Sequence, residues 1–255
     1  MLQAHSFLWH YLWLGPHILQ LGLAFLFWRR GLHRQFPVFF AYLILEAAEE
    51  FLLYWMDVSP AFGSATWWHT FLAGSVAEGL LRFAIIVELL RHLLQPWTAL
   101  VRVGRNLVGG IGLALILFAG VVELARGPNR TNWLINIAHD LQSSFFLVQA
   151  GLILSVFLFA NHFRIVWERV TYGIALGFAI VWCEHLAIWT ILATGIVTSA
   201  RAPLDMVNMA TYHVVVLVWL YYVLVPEPAG MRPPSVPPNA NLEIWNREME
   251  RFLQR

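Results

Sequence analysis

The sequence predicts an all-α fold, a bundle of seven transmembrane helices with the N-terminus outside the membrane. Three observations predict it. Hydrophobic residues make up 59% of the 255 and charged residues only 12%, about half the charged share of a soluble domain. Seven stretches approach the roughly 20 apolar residues that cross a bilayer. Arginines concentrate in alternate connections, so that one side of the membrane carries nearly all of them.

Taken in order, the spans fall near 8–28, 37–56, 68–90, 106–124, 133–159, 171–194 and 205–225. The opening MLQAHSFLWHYLW lacks a basic leader and an A-x-A cleavage site, so the first span reads as a retained helix rather than a signal peptide. Span 2 begins at Pro37, span 3 follows DVSPAFGSATW, and span 4, NLVGGIGLALILFAG, carries no charge between Arg105 and Glu123. A linker helix facing lipid explains span 4, and so does close helix approach through Gly109, Gly110 and Gly112. The connections are short, and none has the length of a domain.

With the N-terminus outside, Arg29, Arg30, Arg34, Arg91, Arg102, Arg105, Arg164, Arg169, Arg232, Arg247, Arg251 and Arg255 lie in the cytoplasm. Only Arg126, Arg130 and Arg201 then fall outside, and Arg82 lies inside span 3. Trp9, Trp55, Trp67, Trp68 and Trp133 mark the outer edge, and Trp28, Trp97 and Trp167 the inner one.

Residues 1–225 thus form a transmembrane domain whose main partner is the lipid bilayer. Residues 226–240, rich in proline, form an extended cytoplasmic linker. Residues 241–255 place Leu242, Trp245, Met249, Phe252 and Leu253 at helical spacing and read as an amphipathic helix. That helix suits the inner leaflet, its own bundle, self-association or a protein partner.

A net charge of +1 gives no reason to expect nucleic acid. All sixteen basic residues are arginines, which excludes Schiff-base and P-loop lysine chemistry. Cys183 is the single cysteine, so an internal disulfide or CxxC pair is excluded, and its apolar neighbours mark it as packing. At an offset of 135 residues Arg29 meets Arg164, Arg34 meets Arg169, Glu49 meets Glu184 and Glu78 meets His213. These matches suggest a parallel repeat of spans 1–3 in spans 5–7, an arrangement some transporters use.

The chemistry concentrates in one layer. At 1.5 Å per residue, His17, Glu46, Glu78 and His213 come within about 3 Å of the mid-plane, and Glu49, Glu50, Glu184 and His185 lie about 3–6 Å toward the outside. Glu46, Glu49 and Glu50 share one helix face, which must look into the bundle because a charge at the bilayer centre costs about 2.5–3.5 kcal/mol even on lenient scales. Three neighbouring carboxylates repel, so at least one is protonated at neutral pH unless a cation intervenes. Glu78 and Arg82, four apart, can pair along their helix. Nearer the outside, His139, Asp140, Asn208 and Tyr212 suit an outward pocket.

Three readings of the layer stand: a structural polar network, a site for protons, a cation or a small polar ligand, and a metal or haem site. A metal would draw on Glu49, Glu78, Glu184, His185 and His213, although no H-x-x-x-H or Glu-x-x-His occurs and no cofactor is specifically implied. No catalytic signature is present, which leans away from an enzyme and toward a non-enzymatic subunit or a ligand-binding or sensory protein. A small-molecule or proton-coupled transporter and an intramembrane metalloenzyme are the alternatives.

The segments WLGPHILQ and RRGLHRQFPVFFAYLILE resemble a pattern found in uncharacterised multi-pass bacterial inner-membrane proteins. The resemblance covers about the first 50 residues; it implies a bacterial inner membrane and transfers no functional residue. Helix count also suggests the seven-helix membrane hydrolases related to ceramidases, but their H-x-x-x-H in the last span is missing here.

Overall fold

A computed structural model of the chain describes residues 6–94, 106, 109–110, 113–114, 117, 133–162, 165, 167–193 and 201–225, with the backbone alone over 133–143 and at 159, 162, 189, 192–193 and 201–202. Among the described residues there is no strand. Six long helices carry the fold: α1 Phe7–Arg29, α2 Pro37–Val58, α3 Ser64–Leu93, α4 Trp133–His162, α5 Arg169–Ala193 and α6 Arg201–Leu224. They occupy the places expected of spans 1–3 and 5–7. The expected fourth span, the linker 226–240 and the tail helix 241–255 lie wholly or largely outside the described residues.

Four of the helices have a stretch long and apolar enough to cross a membrane: Phe7–Arg29, Ser64–Leu93, Arg169–Ile188 and Pro203–Leu224. Helix α2 has the length, at 22 residues, but holds Glu46, Glu49 and Glu50 near its middle. In α4 the described apolar stretch is the shorter Ser144–Leu158. Large apolar side chains recur on the outward faces, as with Ile18, Leu21, Phe25 and Trp28 on α1 and Val207, Val214, Leu217 and Tyr221 on α6. In water these stripes would form an unusually extended apolar surface; in lipid they are the solvated face.

The helices close into a ring. Each packs on its neighbours in chain order, α6 returns to α1, and α3 also touches α5 across the middle. Termini are locally specified. Gly31, at φ 73°, takes the left-handed conformation that ends α1 after Arg30. Pro37 starts α2 at a position where a missing N–H costs nothing. The next two amides of α2 are capped from another helix, since Val38 N donates to Glu88 Oε1 (2.9 Å) and Phe39 N to Glu88 Oε2 (3.0 Å). Arg30 donates to the Val223 carbonyl at the end of α6, tying the same end of the ring.

That end is also where the apolar core is densest. Leu23, Phe27, Phe36, Phe39, Leu43, Ile85, Phe178 and Trp219 are fully or almost fully buried there and in the middle of the bundle. The Trp219 ring meets Phe39 at 5.1 Å and Phe178 at 5.3 Å. Toward the other end, which carries the α2–α3 connection, the ring encloses space instead of side chains.

Candidate functional site

A half-enclosed cavity of about 470 Å³ occupies this second end, and all six helices contribute to its wall. Its outer part is lined by Trp9 and Leu12 of α1, Leu53 and Asp57 of α2, Trp67 and Phe71 of α3, and Leu204 and Asp205 of α6. Its depth is lined by His17, Glu46, Glu49, Glu50, Ser75, Glu78, Arg82, Phe146, His185, Asn208 and Tyr212. Six carboxyl side chains therefore face one guanidinium and two imidazoles across this wall.

The floor is a hydrogen-bonded cluster. Gln20, fully buried, donates to the Leu43 carbonyl (2.9 Å) and to Glu46 Oε2 (3.0 Å). Tyr212 donates toward the same Glu46 Oε2 (2.5 Å) and lies 2.8 Å from Gln20 Oε1, which is also 3.1 Å from His17 Nδ1. Arg82 pairs with Glu78 one turn away and lies 3.9 Å from Glu46 Oε1. The pairing expected from the spacing of Glu78 and Arg82 is thus present. The Arg82 guanidinium also lies over the rings of Phe146 (4.9 Å) and Tyr42 (5.9 Å), which hold a cation by their faces while excluding water.

The remaining carboxylates differ in their partners. Glu50 accepts from the Trp13 indole at 2.7 Å. Glu49 receives no hydrogen bond among the described residues. Its carboxylate lies against α3 at Gly74, where any Cβ would overlap it. The glycine thus lets a carboxylate approach a helix backbone that a side chain would block.

Two indoles of the wall are held in place. Trp13 is fixed by its bond to Glu50, and Trp67 donates to the Leu53 carbonyl at 3.3 Å. Trp9 packs edge-on to Trp13 at 4.6 Å, and Trp67 stacks on Phe71 at 5.3 Å. Pro16 interrupts α1 beside them. Lacking an N–H, it leaves the Leu12 carbonyl without its helical donor, and both residues line the cavity.

Of the layer read from the sequence, His17, Glu46, Glu49, Glu50, Glu78, Arg82 and His185 come together in this wall, joined by Asn208 and Tyr212. Glu184 and His213 do not line it. Adjacent helical residues point about 100° apart, so His185 and Tyr212 take the inward direction and their neighbours turn away. The His213 ring meets Tyr11 at 5.8 Å. Glu184 Oε2 is 2.9 Å from His185 Nδ1, but that nitrogen is equally 2.9 Å from the Val181 carbonyl. One N–H cannot serve both acceptors. The carbonyl has the hydrogen-bond geometry, and both Glu184 oxygens are left buried without a hydrogen bond.

The side chains of His139 and Asp140 lie outside the described residues. Cys183, expected as packing, is instead exposed on the outer surface of α5, because Trp182 beside it takes the buried direction. Among the described residues no three of His, Cys, Asp and Glu converge closely enough to hold a metal ion. The set drawn from Glu49, Glu78, Glu184, His185 and His213 is split between the cavity and other faces of the bundle.

Several residues of the site lack a conspicuous mark in the sequence. Gln20 had one faint signal, its place one turn after His17 on the same face. Asp57 lies in the last turn of α2, on the wall of the same cavity, seven residues after Glu50. Nothing in one sequence distinguishes Gly74 or Tyr42 from packing residues.

No protein-family model, no curated protein and no solved structure matches this chain.

Proposed function

We propose that this is a seven-span protein of the bacterial inner membrane that binds a small polar ligand, entering from the periplasmic side, in the cavity between its helices. The observation that carries the reading is the cavity: about 470 Å³ lies within the usual range for small-ligand sites, and its aromatic outer wall gives way to a depth crowded with polar groups that suits a polar ligand. Buried polar clusters that only hold a bundle together fill their space, whereas this one borders a void. The protein is read as a non-enzymatic binding or sensory protein or the subunit of a larger assembly, and the arginine distribution supports an N-terminus in the periplasm.

One observation favours a carrier as a second reading. Neighbours in the ring follow chain order and α6 closes on α1, an order compatible with a repeat of α1–α3 in α4–α6. Parallel repeats of this kind are an arrangement that some transporters use.

Access is the test. In a Cys183→Ser background, Ser75→Cys places a thiol on the cavity wall, where Ser75 is buried yet borders the void. A membrane-impermeant thiol reagent added to spheroplasts is expected to modify it. Modification only after the inner membrane is opened, or only after unfolding, contradicts the reading.

A further inference from the structure

We propose that the cavity is a site for a small organic cation, with an ammonium head held between the Glu49 carboxylate and the aromatic wall of Trp13, Trp67 and Phe71. The proposal rests on the cavity's being a ligand site and names the class of ligand.

Charge selects the sign of the ligand. The wall carries six carboxyl groups against a single guanidinium, and that guanidinium is already engaged by Glu78 and approached by Glu46. An anion would meet more carboxyl groups than the one guanidinium and two imidazoles can offset, while a cation reduces the repulsion among the carboxylates.

Hydrogen bonding selects the carboxylate. Glu46 is served by Gln20 and Tyr212, Glu50 by Trp13, and Glu78 by Arg82. Glu49 alone among the four glutamates has no hydrogen-bond donor among the described residues. Gly74 leaves room for its carboxylate against α3, and the three atoms nearest to where a Cβ of Gly74 would stand all belong to Glu49.

The aromatic rings select the kind of cation. Indole and phenyl faces attract ammonium groups, most strongly where water is excluded. Trp13 and Trp67 are both locked by their N–H bonds, so the wall needs no reordering to receive a ligand. Metal coordination requires a different arrangement, several ligating atoms converging on one point, and the described residues have none.

The experiment compares choline with 3,3-dimethyl-1-butanol, its uncharged isostere, and with ethanolamine as a primary ammonium. Binding is read by tryptophan fluorescence and calorimetry on the purified full chain in lipid nanodiscs. Saturable binding of at least one ammonium is expected, with the neutral isostere weaker by about tenfold or more. Glu49→Gln and, separately, Trp67→Leu should each weaken ammonium binding by about tenfold or more while the melting temperature shows the protein folded. The Gly74→Ala variant, which displaces the carboxylate without removing it, is expected to do the same.

No saturation by either ammonium up to about 10 mM overturns the proposal. So does equal binding of the neutral isostere, or unchanged binding by folded Glu49→Gln. If Ser75→Cys is modified from the periplasm while no ammonium binds, the cation fails and the cavity survives. If that cysteine is also unreactive, both fail.

Discussion

The two halves of the ring use the same helical scaffold for opposite ends. At the cavity end of α1–α3 many inward positions are polar, and a glutamate at position 49 lies against a glycine on the next helix. In α4–α6 glycines also admit a neighbour, but the neighbour is an aromatic ring: a Cβ on Gly177 would overlap Trp219, and one on Gly173 would overlap Tyr222. Gly74 makes room for a charge beside the cavity, whereas Gly173 and Gly177, like Gly79 of α3 against the Phe145 ring, make room for close packing. Position 184, which aligns with 49 at the repeat offset, holds a glutamate that has turned off the cavity beside His185.

The largest effect expected from breaking this contrast comes from Arg82. Replacing it with methionine leaves Glu46 and Glu78 facing each other without their cation, and thermal unfolding in detergent should show a loss of about 3–5 kcal/mol. A double replacement of both glutamates by glutamine in that background should restore part of it. Next in size is the packed half. Gly177→Ala forces a methyl into a ring that is 1% exposed and cannot retreat, for a cost of about 1–3 kcal/mol. Gly74→Ala meets only the end of a flexible side chain, so its melting temperature should move by less than about 0.5 kcal/mol of equivalent stability. Equal destabilisation by the two alanines would remove the distinction between the halves.

Smaller effects sharpen the account. Glu88→Ala removes the acceptor of two amides at the start of α2, away from the cavity, and should cost about 1 kcal/mol without altering ligand binding. Glu184→Gln replaces a buried carboxylate whose oxygens lack hydrogen bonds; stability should be unchanged or rise by up to about 1 kcal/mol, and binding should not change. Loss of binding in Glu184→Gln would return that residue to the site.

The helices were legible because each carries its own signal: length, apolarity and terminal marks such as Gly31 and Pro37. The i, i+3, i+4 spacing of Glu46, Glu49 and Glu50 placed them on one face, and depth placed His17, Glu78 and His185 beside them. Depth is only one coordinate. It does not supply the rotation of a helix about its axis, and so it put Glu184 and His213 in the layer when their neighbours His185 and Tyr212 point inward. Gln20 and Gly74 depend on contacts between helices far apart in the chain, which spacing within one helix cannot reveal. The capping of α2 by Glu88, fifty residues on, is of the same kind.

The central claim is that the six helices enclose an outward-open cavity that prefers cations. Its most direct test is the reaction rate of Ser75→Cys, in the Cys183→Ser background, with a cationic and an anionic methanethiosulfonate, each divided by its rate with a free thiol in solution. The cavity predicts a corrected ratio of about ten or more in favour of the cation, falling when Glu49 is also changed to glutamine. A corrected ratio near one, or one favouring the anion, would contradict the claim.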